Sequence, residues 1–155
     1  MCVIVDANLA SHIFTPAPAA DFCPVFDWLH APDKNGCLVF GGKLSNELSH
    51  RTDSRRYLRA LLQAGRAYQI PDIIVQSEEQ QVTDSVLCKS NVPHVVALAR
   101  VSGARTLCSH DLALHRDFRN PKLIAKPRGR VYQNATHMHL LRHDTSCPRR
   151  ATKPR

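Results

Sequence analysis

The chain has 155 residues, 43% of them hydrophobic, enough for one buried core but short for two domains. Twenty-one Lys and Arg against 13 Asp and Glu give a formal net charge of +8, which favours a polyanionic partner without naming one. Secretion and membrane insertion are not expected: Asp6 interrupts the N-terminal apolar run, and the longest apolar stretch, Pro93 to Val101, is too short to span a bilayer and carries His94 and Arg100.

The first apolar run, Cys2 to Val5, reads as a buried strand that ends on Asp6 and passes into a helix-compatible Ala7 to Ser11. Pro16 and Pro18 break the chain, and Ala20 to His30 places Phe22, Val25, Phe26 and Leu29 near helical spacing. After a turn at Asp33 to Gly36, Cys37 to Phe40 is the second strand, closed by Gly41-Gly42. Ser45 is the expected N-cap of one long helix reaching about Ala67, with Leu48, Leu58, Leu61 and Leu62 inward and Arg51, Arg55 and Arg59 outward at four-residue steps. That arginine stripe is either the solvated face of an amphipathic helix or a hold on a phosphate backbone.

Ile70 to Val75 reads as a strand that Pro71 confines to an edge or a start. Glu78 to Cys88 and Pro93 to Ser102 read as helices, the second stopped by Gly103 in the C-cap position. Ala104 to Ser109 is a strand that runs through His110-Asp111 into a helix at Leu112 to His115. Leu123-Ile124 and Arg130 to Tyr132 are short strand candidates, and Ala135 to Arg142 a last helix. Residues 1–142 thus form one domain, and 143–155 a basic, disordered tail. Strands alternating with helices predict an α/β fold, a three-layer α/β/α sandwich around a mostly parallel sheet. The six cysteines form no CxxC pair and several sit in strand-like runs, so free thiols in a cytoplasmic protein are expected.

Two strand ends carry a carboxylate, Asp6 and Asp111, where open parallel sheets keep their ligand crevice; each would also serve simply as a helix cap. Glu47, expected in the first turn of the helix after Ser45, has a sufficient reason in the helix dipole. All three nevertheless fall at starts of helices leaving the sheet, so a right-handed fold brings them to one edge. Clustered carboxylates repel unless a cation separates them, and hard oxygen ligands select Mg²⁺ or Mn²⁺.

The opening Val3-Ile4-Val5-Asp6-Ala7-Asn8, Glu47, the segment Pro93 to Arg105 and Ser109-His110-Asp111 together resemble a PIN domain over roughly residues 1–120. The resemblance implies a metal-dependent ribonuclease, the toxin of a bacterial toxin–antitoxin pair, with RNA as substrate, an antitoxin protein as partner and a homodimer left open. It assigns Asp6, Glu47 and Asp111 to catalysis and, with Asp117 as an accessory acid, to the Mg²⁺ or Mn²⁺ site. It also gives Ser109 and Asn8 contact with metal-bound water or phosphate.

One position departs from the family pattern: an Asp is expected before the helix at Pro93, and the chain has Val92. The departure is visible without the family, because Pro suits the first helical position and Val is among the poorest N-caps. A missing carboxylate weakens a cation's hold, so the competing reading is a catalytically impaired PIN-like module that binds RNA or protein. His94 and His110 flank the acids, either as polar residues at helix starts or as phosphate contacts. His137, His139, His143 and Cys147 lack the paired spacing of a zinc site.

Overall fold

The computed structural model describes residues 2–141; the predicted tail lies outside them. Five strands, β1 (Cys2–Val5), β2 (Cys37–Gly41), β3 (Ala67–Ile70), β4 (Thr106–Cys108) and β5 (Arg130–Tyr132), form one sheet in the order β3-β2-β1-β4-β5 with every pair parallel. Helices α1 (Ala10–Ile13) and α2 (Cys23–His30) connect β1 to β2, and α3 (Lys43–Ser49) and α4 (Thr52–Gln63) connect β2 to β3. The return to β4 runs through α5 (Asp72–Asp84) and α6 (Pro93–Ser102), and α7 (Leu112–Arg119) leads to β5. Right-handed crossovers that travel first one way and then the other put their helices on opposite faces, which makes the three-layer α/β/α sandwich.

All four residues of β1 are buried, because a central parallel strand is covered on both sides; this is why its sequence is an unbroken apolar run rather than an alternating one. The order of connection reverses between β1 and its neighbour β4. Val5 pairs with Cys108, so the next residues, Asp6 and Ser109, leave the sheet side by side at this switch point.

Several expectations are corrected. The single helix from Ser45 to Ala67 is two helices, because Arg51 takes an extended backbone (ψ 127°) between them. The first helix starts at Lys43 with Gly42 as N-cap, not Ser45, and Gly42 has φ +59°, a region open to glycine at little cost. Its amide donates to Asp72 Oδ1 at 3.0 Å, which ties the end of β2 to the start of α5. The run Ile70 to Val75 is not a strand: β3 ends at Ile70, Pro71 is the N-cap of α5, and the helix begins at Asp72, six residues before the expected Glu78. Leu123-Ile124 is buried but lies in a turn, and Ala135–Leu140 is a 3₁₀ helix.

The helix at Pro93 is as expected, and Gly103 ends it at φ 78°. Cys23, Cys37, Cys88 and Cys108 are in the thiol form, whereas Cys2 is disulfide-bonded, contrary to the expectation that no cysteine is bridged. Burial pushes the Cys108 thiol far up, so it packs as a small hydrophobe. Among the described residues no helix is long and apolar enough to cross a membrane.

Candidate active site at the switch point of the sheet

Asp6 follows β1 and its amide continues the ladder by donating to the Cys108 carbonyl at 2.9 Å. The residue is only 4% exposed. It stands at the N-cap of the short 3₁₀ turn Ala7–Leu9 but makes no capping hydrogen bond, so the capping explanation fails for this residue. Its protein donor is the hydroxyl of Ser109, 2.8 Å from Oδ2. A buried carboxylate needs compensation, and a single neutral hydroxyl supplies little of it.

Asp111 behaves differently. Its Oδ1 accepts the Leu114 amide at 3.2 Å and caps α7, so the structural role expected for Asp at a helix start is real here. Its own amide donates to Ser109 Oγ at 3.0 Å. One buried hydroxyl therefore links the two acids, donating to Asp6 and accepting from the backbone of Asp111. The second oxygen of each carboxylate has no protein donor among the described residues.

The conformation of Ser109 is itself fixed by a residue that the sequence reading missed. His115 is buried, with Nε2 2.6 Å from the Ser109 carbonyl and Nδ1 3.2 Å from Gln133 Nε2. A carbonyl only accepts, so Nε2 carries the proton and Nδ1 accepts from the Gln133 amide. The available signal was spacing: His115 is four residues beyond Asp111 and so on the same helix face.

Glu47 lies in the second turn of α3, not the first, which removes the dipole explanation offered for it. Its Oε1 is 2.9 Å from Nε2 of the buried His94 on α6, within ion-pair distance but off the angle of a hydrogen bond, so we treat the contact as electrostatic. Helix α3, which carries Glu47, packs against both α6 and the turn that follows Asp6. Val92 is the N-cap of α6, makes no side-chain cap and packs half-buried on the core.

Asp117 is an anchor. Its carboxylate accepts the Lys89 amide at 2.9 and 3.1 Å, the Ser90 amide at 2.8 Å and the Cys88 thiol at 3.2 Å, closing the loop that leads to Val92. Burial alone would raise its pKa, but the Lys89 and Ser90 amides, helped by the Ser90 and Cys88 side chains, outweigh that and hold it below the ordinary carboxylate value. Both oxygens are thereby committed to the loop, which leaves the accessory-acid role implied for Asp117 without a free ligand atom. Arg51, Arg55 and Arg59 are exposed, Arg51 at the N-cap of α4 and the others along it. Asn8 is exposed beside Asp6, and exposed His110 places Nε2 3.4 Å from the Gln133 carbonyl.

Among the described residues no three His, Cys, Asp or Glu side chains converge as a metal-holding group. The donor chemistry at Asp6 nonetheless fits one hard cation: a buried, under-compensated carboxylate with an oxygen that takes no protein donor among the described residues, held by a Ser109 hydroxyl that also accepts the backbone amide of a second acidic residue, Asp111. Comparison with family models, curated proteins and solved structures found no match.

Proposed function

We propose that the chain is a PIN-type ribonuclease that hydrolyses RNA phosphodiesters with the help of Mg²⁺ or Mn²⁺ held by Asp6 and Asp111, with Glu47 beside them. The observation that carries this reading is the burial of Asp6 at the switch point with no capping hydrogen bond and, among the described residues, no cationic partner. Such a cation would offset the charge of the two acids, polarise a water and neutralise the attacked phosphate. Ser109 orients Asp6 by donating to Oδ2, His115 holds Ser109 through its carbonyl, and the basic surface retains the RNA. The toxin role under control of an antitoxin draws its support from the sequence resemblance, and a cytoplasmic location from the thiol form of Cys23, Cys37, Cys88 and Cys108.

A second reading, an RNA- or protein-binding module without turnover, is favoured by Val92 and by the engagement of Glu47 with His94. Cleavage of mixed RNA in millimolar Mn²⁺ or Mg²⁺ separates the two. The nuclease reading expects metal-dependent cleavage that EDTA stops and Asp6→Asn reduces by about a hundredfold or more. RNA binding with no cleavage at any metal concentration would establish the second reading, and equal cleavage by Asp6→Asn would remove Asp6 from the chemistry.

A further inference from the structure

Apart from the switch-point crevice, the molecule has a groove of about 350 Å³ between α1 and the start of α4, lined by Ser11, Thr15, Arg51, Thr52, Asp53 and Ser54. The N-cap of α4 is Arg51, which provides no side-chain acceptor, and the first amide to find a helical carbonyl is that of Arg55, bonded to Arg51. The amides of Thr52, Asp53 and Ser54 therefore have no acceptor among the described residues. A helix start of this kind attracts an anion. The second observation is Ser54: the residue is 1% exposed and its Oγ has no hydrogen-bond partner, although a buried hydroxyl is normally satisfied.

We propose that this groove binds one phosphodiester group, held by the first-turn amides of α4, the Ser54 hydroxyl and the Arg51 guanidinium. The charge at the groove selects the diester. Asp53 stands in the same wall and opposes a dianion more than a monoanion, whereas Arg51 offsets roughly one negative charge. Because α4 carries the chain back to the start of β3, its own start faces the C-terminal edge of the sheet, the edge that holds Asp6 and Asp111. A strand of RNA lying along that edge supplies such a diester. The inference rests on the ribonuclease reading only for this source of the ligand.

The test is an NMR titration of the full chain with the dinucleotide UpU, which carries one diester, and separately with inorganic phosphate. UpU should shift the amides of Thr52, Asp53 and Ser54 and bind more tightly than inorganic phosphate at neutral pH. Ser54→Ala should weaken UpU roughly tenfold while melting no lower than the native chain, since it removes an unsatisfied hydroxyl. Asp53→Asn should tighten binding of UpU, an effect that a merely structural role for the groove would not produce. First-turn amides that do not move, unchanged affinity in Ser54→Ala, or phosphate binding at least as well as UpU would each overturn the proposal. Loss of these shifts with metal-dependent cleavage intact would sink this site alone, and shifts persisting in a chain that never cleaves RNA would sink only the nuclease reading.

Discussion

Ser109 donates its hydroxyl proton to Asp6 Oδ2 across 2.8 Å, joining the ends of β1 and β4 where the sheet changes direction. The bond is buried and its acceptor is a carboxylate, so Ser109→Ala should cost about 1.5–3 kcal/mol in chemical denaturation. It should also lower kcat for RNA cleavage more than it weakens RNA binding. A variant as stable as the native chain would mean that the hydroxyl does not hold Asp6.

The loop anchored by Asp117 gives a pH prediction. The folded carboxyl titrates below its unfolded value, so its contribution is complete above the ordinary carboxylate range and is lost as pH falls through the folded value. Asp117→Asn should lower stability at pH 7 by about 1.5–3 kcal/mol and flatten the loss of stability below about pH 4, measured by urea unfolding across pH. An acid limb identical to that of the native chain would show that the carboxylate charge is not what the Lys89 and Ser90 amides bind.

Val92 offers a gain-of-function test. Val92→Asp gives α6 the N-cap it lacks, a gain of about 0.5–2 kcal/mol partly offset by the lost apolar packing of Val92 and by repulsion from neighbouring acids. Divalent metal should relieve that repulsion, so millimolar Mn²⁺ should raise the melting temperature of this variant more than that of the native chain, and RNA cleavage should rise. Identical metal responses would place residue 92 away from the crevice.

The exposed arginines predict salt dependence. Replacing Arg51, Arg55 and Arg59 together with Gln should flatten the log–log dependence of single-stranded RNA affinity on salt by up to about 2. Fluorescence anisotropy over a salt series measures the slope, and an unchanged slope would leave the stripe as a solvated face.

Much of the fold was legible because its strands are buried on both sides and so spell apolar runs, as at Cys2 to Val5 and Cys37 to Phe40. The same cue misled at Ile70 to Val75, where Pro71 divides the run: Ile70 closes a strand, while Ile73, 76% exposed, belongs to the first turn of a helix. The break at Arg51 was hidden because arginine at four-residue steps looks helical whether or not one of them is extended. At the site, sequence placed Asp6 and Asp111 at strand ends, but could not tell the acid that caps a helix from the one that does not. That difference depends on hydrogen bonds between residues 103 positions apart, as for Ser109 and Asp6. The commitment of Asp117 to the backbone of Lys89 and Ser90 was invisible for the same reason.

The central claim, that Asp6 and Asp111 hold a divalent cation at the switch point of the sheet, is tested most directly by Mn²⁺ as a paramagnetic probe. In ¹⁵N spectra of the native chain, substoichiometric Mn²⁺ should broaden the amides of Asp6, Ala7, Ser109, His110 and Asp111 first, and Asp6→Asn should remove the effect. Broadening that begins elsewhere, or that survives in Asp6→Asn, would contradict the claim.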